Sequence, residues 1–360
     1  MGDTPDELGT VNADRPYWLD TVPSTPGWLA TPPSRCDLVV VGGGIVGCSV
    51  AYWGARAGAR VALLERDRLA AGATGRNLGL LLPRPSERAD VRLWERVVAE
   101  EGISAEYRAI DHLSLLTTEE YREWTLREVT RGGDRGPVRF LRTEQVAEVL
   151  KLRPRWRITG GRLTRAACAN PARLAHGLAR GAARLGARIC QGVEVLAVRR
   201  DQGLRVETAS GDVCASFVVV ACQAGSMRFA PDARLKAVPR RMVLTGRLPP
   251  IFPQVMALDW GTAFWRQLPN GEILLGGRHP FSDRGDGLES LFSELFEGFP
   301  DCRVTRSWSG EMDESHDGQP VVVPTRQDEH CWVVAGFDGH GLPGALGVGA
   351  RVVAAMRGLS

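Results

Sequence analysis

Gly42, Gly44 and Gly47, in the run VVVGGGIVG, have the G-x-G-x-x-G spacing of a turn that cradles phosphate. The chemistry is anion binding by backbone. The first glycine permits a tight turn, the second lets peptide N–H groups approach a diphosphate, and the third lets the following helix pack close to its strand. Ile45 and Val46 would open that helix. Its first-turn donors and its dipole favour a negative charge. Glu65 stands eighteen residues beyond Gly47, at the end of a second apolar run. A carboxylate there can accept both hydroxyls of an adenosine ribose, and it argues against a 2′-phosphate, hence against NADP. Loop, helix and acid together predict an ADP-containing dinucleotide. The alternative is a glycine-rich turn in an empty α/β domain.

The elements that must position these residues surround them. DLVVV (37–41) is a continuous apolar run bounded by glycine, which suits a strand buried on both faces of a parallel sheet. Residues 44–58 show helical spacing with Gly58 as a C-cap, and RVALLE (60–65) reads as a second buried strand. This is a βαβ unit. Residues 87–108 and 118–131 are predicted as amphipathic helices, and 112–117 as a strand. A helix at 171–187 leads into strands at 194–200, 204–211 and 214–222. Residues 231–310 read as mostly β with a helix near 287–299. A buried strand at 330–337 and a helix at 344–356 close the chain. The alternation predicts an α/β domain assembled from separated segments, with a second domain inserted into it. Residues 1–34, rich in proline (Pro5, Pro16, Pro23, Pro26, Pro32, Pro33), read as an extended leader docked through Tyr17, Trp18 and Leu19.

Composition narrows the field. A chain of 360 residues, 44% hydrophobic and 24% charged, suits about two globular domains. A net charge of +3 gives no argument for nucleic acid or an anionic membrane, and the tryptophans are too scattered for a stacking platform. No run is apolar and long enough for a membrane span, and the start does not read as a secretory signal. The eight cysteines form no CxxC pair and read as buried hydrophobes in a reducing cytosol, so the expected location is cytoplasmic. The six histidines lack metal-ligand spacing, so no metal site is expected. No GxSxG elbow is present. Forty-two glycines with no repeat period suggest close backbone approach to a ligand.

Four further stretches carry a resemblance: RDRLAAGATGRNLGLL (66–81), GVEVLAVRRDQGLRVETASGDVCASFVVVACQAGS (192–226), SWSGEMDESHDGQPVV (307–322) and VVAGFDGHGLPGALGVGA (333–350). In this order, from residue 36 onward, the chain resembles the FAD-dependent D-amino-acid oxidase superfamily, which includes glycine, sarcosine and γ-glutamylputrescine oxidases. The resemblance implies an α/β fold: a Rossmann-like FAD-binding domain with a parallel sheet, βαβ unit and β-meander (35–110, 165–230 and 315–360). An α+β substrate domain on a mostly antiparallel sheet (111–164 and 231–314) is inserted into it. It implies non-covalent FAD, with the ADP half on Gly42–Gly47 and Glu65 and with Arg66 over the adenine. Gly72, Ala73, Thr74, Arg76, Asn77 and Leu78 would lie along the pyrophosphate and flavin. Val195 would touch adenine through its backbone, and Ala221 and Cys222 would form the strand end that passes the cofactor. Gly339, His340, Gly341 and Leu342 would open the last helix toward the flavin pyrimidine.

The chain departs from the family's pattern at several points. Gln223 replaces a usual glycine, and Met312 stands where carboxylate-binding members carry an arginine. A carboxylate would meet no bidentate partner there, and the neighbours Glu311, Asp313 and Glu314 would favour a cationic amine. GEILLGG (271–277) lacks the lysine that sarcosine oxidases carry there, which leaves the electron acceptor open between O2 and another oxidant. Cys302 lies too early to attach a flavin. The candidate catalytic residues are Arg266, flanked by Phe264 and Trp265 on alternating faces of one strand, with Arg76 and His340; Arg278 and His279 are weaker candidates. Arg76 reads equally as a salt-bridged loop residue, and His340 chiefly as a backbone group.

The leading expectation is oxidation of a C–N single bond of a small amine or amino acid to an imine, by hydride transfer to flavin N5, with no side-chain acid or base obligatory. The alternatives are a C–O dehydrogenase, to which Arg240, Arg241, Arg266 and Arg278 could lend a basic cluster, and an FAD-binding subunit of a hetero-oligomeric dehydrogenase. Arginine-heavy usage, with Lys151 and Lys236 the only lysines among 45 basic residues, is compatible with a tailoring step in specialised metabolism. Substrate and oligomeric state are left open.

Overall fold

The apolar run at 37–41 lies within strand β1 (Arg35–Val41), and Val39 and Val40 are fully buried. Helix α1 (Ile45–Arg56) follows, then strand β2 (Val61–Glu65). The predicted βαβ unit is therefore present, with the helix two residues shorter than expected at its C-terminal end. In the computed structural model the residues described are 12–22, 28, 30–84, 88–132, 137–155, 157–201, 203–277 and 287–358.

The sheet around this unit grows from helix α2 (Pro171–Arg184) and strand β3 (Arg188–Gln191) onward. Strands β4 (Val195–Asp201), β5 (Gly203–Thr208) and β6 (Val213–Val220) form the antiparallel meander. Strands β7 (Val321–Pro324) and β8 (Cys331–Ala335) precede the last helix, α3 (Gly341–Arg357). Parallel pairing runs β8–β6–β1–β2–β3. The central stretches of this sheet, Leu38–Val41 of β1, Val61–Leu64 of β2 and Val218–Val220 of β6, are buried valine, leucine and alanine, as a covered parallel sheet requires. Helices α2 and α3 pack against α1. Asn170 caps α2 by accepting the Arg173 N–H at 3.1 Å, with Pro171 in the first turn.

The chain clusters into two units. The larger comprises Tyr17–Asp111, Arg165–Arg240 and Gly310–Ser360; the smaller comprises Met1–Pro16, His112–Thr164 and Arg241–Ser309. Residues 231–240 and 310–314, expected with the substrate domain, thus cluster with the glycine loop. So does the leader from Tyr17 onward.

The smaller unit is built on a mostly antiparallel sheet. Its strands Ile273–Gly277, Ala263–Gln267 and Val255–Leu258 pair antiparallel in that order, and Val255–Leu258 pairs parallel with His112–Leu115. One face carries Leu113, Met256, Trp265 and Leu275 into an aromatic core with Phe252 and Phe292, beneath the helix Thr143–Leu150.

One predicted helix needs correction. The segment expected as helix over 87–108 is helical only over Arg88–Glu100. Gly102 takes φ +60°, the Ile103 N–H donates back to Val98 O at 2.9 Å, and the chain leaves as strand Arg108–Leu116. This is a glycine-terminated helix end, which periodicity alone did not reveal.

All eight cysteines are free thiols. Burial pushes Cys36 up to about 12 and Cys331 up to about 11, as expected of small buried hydrophobes, whereas Cys214 is exposed. Among the described residues no helix is long and apolar enough to cross a membrane.

Candidate cofactor site

The glycine loop is fixed by its neighbours. The Gly42 N–H donates to Leu64 O and the Ala221 N–H donates to Val41 O, both at 2.8 Å, so the ends of β1, β2 and β6 meet at the loop. Gly42 takes φ +108°, and a Cβ there would stand 2.6 Å from Ala221 O. A Cβ on Gly47 would stand 1.9 Å from Gly42 O. Neither position admits a side chain.

Gly44 caps α1 without a side chain, and the first turn of α1 holds no acidic residue. The Ile45 N–H donates to Thr74 Oγ1 at 2.9 Å. Beyond that bond, the helix mouth presents its positive end and its remaining first-turn donors, and the first turn supplies no acidic side chain to meet them. This fits a bound diphosphate.

Glu65 serves the loop first. Its Oε2 accepts from the Gly43 N–H at 2.6 Å and its Oε1 accepts from the Asp67 N–H at 2.9 Å. Burial raises its pKa, and these two bonds pull it back down. A carboxylate has about four acceptor sites, so two used by backbone leave capacity for ribose hydroxyls. Arg66 is exposed and pairs with Asp67 at 3.3 Å. Val195 opens β4 with its side chain buried, which leaves its peptide as the group available to a ligand. Cys222 Sγ lies 3.2 Å from Val41 O, and burial pushes the thiol up to about 12, so it is no nucleophile at neutral pH.

The segment GATGRN forms a 3-10 turn at Ala73–Arg76, locked by its own side chains. Asn77 Nδ2 donates to Ala73 O at 3.1 Å, and Asn77 Oδ1 accepts from the Gly79 N–H at 2.7 Å. Arg76 Nε donates to Ala71 O at 3.0 Å, and Leu78 is buried. The leader supports this turn from below. Trp18 Nε1 donates to Asn77 O at 2.7 Å, and Leu19 Cδ2 stands 2.6 Å from where a Cβ on Gly75 would be. The docking expected of Tyr17–Leu19 is thus present, and its target is the turn itself.

At the mouth of α3, Gly339 takes φ +86° and His340 is the N-cap, without a side-chain capping bond. The His340 N–H donates to Phe337 O at 2.8 Å, and its Nδ1 lies 3.3 Å from Leu82 O. Its imidazole is held against the backbone at Leu82. Met312 packs its methyl 2.8 Å from where a Cβ on Gly339 would stand. Trp94 Nε1 donates to Leu342 O and Pro343 O at 3.1 and 3.2 Å. Arg84 donates to Phe337 O at 3.2 Å and lies 3.9 Å from Asp338.

The acidic cluster expected to favour a cation is largely committed to structure. Asp313 is buried, and its Oδ2 accepts from the Gly336 N–H at 2.6 Å. Glu314 pairs with Arg240 at 2.6 Å. Glu311 remains exposed. The same ion pair occupies Arg240, one of the four arginines that could lend a basic cluster under the alternative C–O reading.

In the smaller unit Arg266 is buried on the strand Ala263–Gln267. It shares a face with Phe264, opposite Trp265 and Gln267, as strand alternation requires. Gln267 Oε1 accepts from the Ile251 and Phe252 N–H groups at 2.7 and 3.1 Å, and Trp265 is fully buried in the aromatic core. Of the three residues singled out there, Phe264 and Arg266 face away from that core. Arg278 and His279 lie outside the described residues.

Sequence reading missed Gly43, Arg84 and Trp94. Gly43 had a signal, as the middle member of an unbroken glycine triplet. Arg84 and Trp94 had none, because each reaches a partner more than two hundred residues away in sequence.

A family model described as FAD dependent oxidoreductase (DAO) matches residues 37–356, nearly the whole chain. The sarcosine oxidase subunit beta of Rhizobium meliloti (strain 1021) is 27% identical over 351 residues, covering 87% of this chain and 83% of that protein. The glycine oxidase of Bacillus licheniformis is 25% identical over 346 residues, covering 86% and 89%. Among solved structures, L-proline dehydrogenase from P. horikoshii superposes with a TM-score of 0.79 at 20% identity, covering 89% of this chain and 93% of the other. The chain belongs to the FAD-dependent oxidoreductase family, and its cofactor is FAD.

Proposed function

We propose that this member of the FAD-dependent oxidoreductase family oxidises the C–N bond of a small amine or amino acid, with FAD held non-covalently in the larger unit. The observation that carries the reading is the glycine loop opening a helix whose first turn holds no acidic residue, with the Glu65 carboxylate bound to the loop at Gly43. The named relatives act on sarcosine and glycine, both small amino acids. When bound, FAD supplies the acceptor for the hydride that leaves the carbon bearing nitrogen.

The chain's own residues bind and orient. Gly42–Gly47 and the mouth of α1 hold the diphosphate through backbone donors, and Glu65 accepts from the ribose. The turn Ala73–Arg76 brings Thr74 against the helix mouth. Gly339–Leu342 open α3, whose N-cap His340 makes no side-chain capping bond, and the helix's positive end suits negative charge on the ring. Arg76 and Arg266 are the side chains proposed to orient substrate. Met312 provides no guanidinium, so the substrate is an amine whose recognition does not depend on a carboxylate partner at that position.

A second reading, a cofactor-bearing subunit of a larger assembly, is favoured by the first relative being named a subunit. The test is anaerobic mixing of the purified flavoprotein with panels of amines, N-methyl amino acids and hydroxy acids. Bleaching of the flavin by an amine and not by hydroxy acids supports the proposal. Bleaching by hydroxy acids alone contradicts it.

A further inference from the structure

Gln223 follows the end of β6 and adopts φ +55°, a left-handed conformation that costs any residue bearing a Cβ. Glycine would hold the same turn with less strain. The glutamine side chain therefore has some other use. Its position points to one.

Two arms flank the glycine loop. On one side, Ala221 O and Cys222 Sγ lie 2.6 and 3.2 Å from where a Cβ on Gly42 would stand; on the other, Thr74 Oγ1 lies 3.3 Å from that position on Gly44. Gln223 starts from the first arm and reaches toward the second. Its Oε1 lies 3.7 Å from the Cβ position of Gly72, the residue that caps the turn carrying Thr74. The side chain is half-buried, and its carboxamide makes no hydrogen bond to another described residue. A strained residue extends an unmatched amide across the rim of an anion-binding mouth.

We infer that Gln223 is a clasp for the diphosphate of the dinucleotide, its carboxamide N–H donating to a phosphate oxygen. This rests on the FAD reading above. Backbone amides of the glycine loop hold the diphosphate from the helix side, and Gln223 closes it from the strand side, so that strain in the empty protein is offset when the ligand arrives.

Two variants separate this from a structural role. Gln223→Gly removes the side chain and the strain; Gln223→Ala removes the side chain and keeps the strain. Each apoprotein is titrated with FAD, with ADP and with riboflavin, and its thermal midpoint is measured without ligand. The expected result is a loss of roughly tenfold or more in affinity for FAD and for ADP in both variants, as for a hydrogen bond to a charged group, with riboflavin binding unchanged. The apo Gln223→Gly protein should melt about 2 °C higher than the unaltered protein, while its hold on FAD weakens. These opposite signs are what a merely structural residue would not give. FAD affinity within twofold of the unaltered protein, tighter binding by Gln223→Gly, or a loss for FAD without a loss for ADP would each overturn the clasp. Failure of the unaltered protein to take up FAD would instead overturn the cofactor reading, and the clasp with it.

Discussion

Glu65 shows why some residues of the site are readable from sequence and others are not. Its place at the end of the second strand follows from local spacing, and so does the pairing of Gly42 with Gly47. What spacing did not reveal is that the carboxylate also ties down Gly43, a contact that depends on the folded loop. His112 makes the same point in the smaller unit. It sits in a run that alternates like any strand, yet its imidazole is fully buried, with Nδ1 3.4 Å from Thr164 Oγ1. Burial first, and Arg162 second, hold its pKa down at about 3. An unfolded histidine titrates near 6.5. Between about pH 6.5 and pH 3 the unfolded chain thus binds a proton that the folded chain refuses, so this group's contribution to stability is intact above 6.5 and is lost as pH falls. The slope is about 1.4 kcal/mol per pH unit in that window. Glu65 and Asp313, whose pKa values are raised by burial, act in the opposite sense, so the whole-protein slope is a sum. The difference between unaltered protein and His112→Gln isolates the histidine. Urea unfolding at pH 6 and pH 4.5 should show a slope shallower by roughly this amount in the variant, and an unchanged slope contradicts the assignment.

Among the elements, those with strong periodicity and terminal glycines were legible: the βαβ unit, the meander, α2 and α3. The over-long helix at 87–108 was not, because charged amphipathic spacing continues past the real end at Glu100 until Gly102 turns the chain. The leader is an intermediate case. Three neighbouring apolar residues announced that it docks, but its target lies fifty-nine residues away at Asn77. There it braces the turn that places Thr74 at the helix mouth. Thr21 continues the brace, accepting from Asn170 Nδ2 at 2.6 Å through its hydroxyl and from Arg173 Nε at 3.1 Å through its carbonyl. Trp18→Phe keeps the ring and removes one buried donor, at a cost of about 1–2 kcal/mol because Asn77 O loses its partner. Hydrogen exchange across residues 73–79 should quicken more than exchange across β1. Equal changes in both would show that the leader stabilises the unit generally and does not brace the turn.

Across the whole molecule, the groups proposed to hold one cofactor come from segments three hundred residues apart in sequence, from Gly42 to Leu342. Sequence motifs could name these segments. The alternation of elements implied that these segments join in one α/β domain, but nothing local says that β6 pairs with both β1 and β8. The account depends on the ADP half being what the protein grips. The most direct test is titration of the flavin-free protein with FAD, FMN and riboflavin, followed by flavin fluorescence, beside the variant Gly47→Ala. One FAD should bind per chain, at least a hundredfold tighter than FMN, which lacks the AMP portion, or riboflavin, which lacks the whole adenosine diphosphate, and Gly47→Ala should show no saturable FAD binding. FMN binding as tightly as FAD, or undiminished FAD binding by a chain with a methyl group forced against Gly42 O, would contradict it.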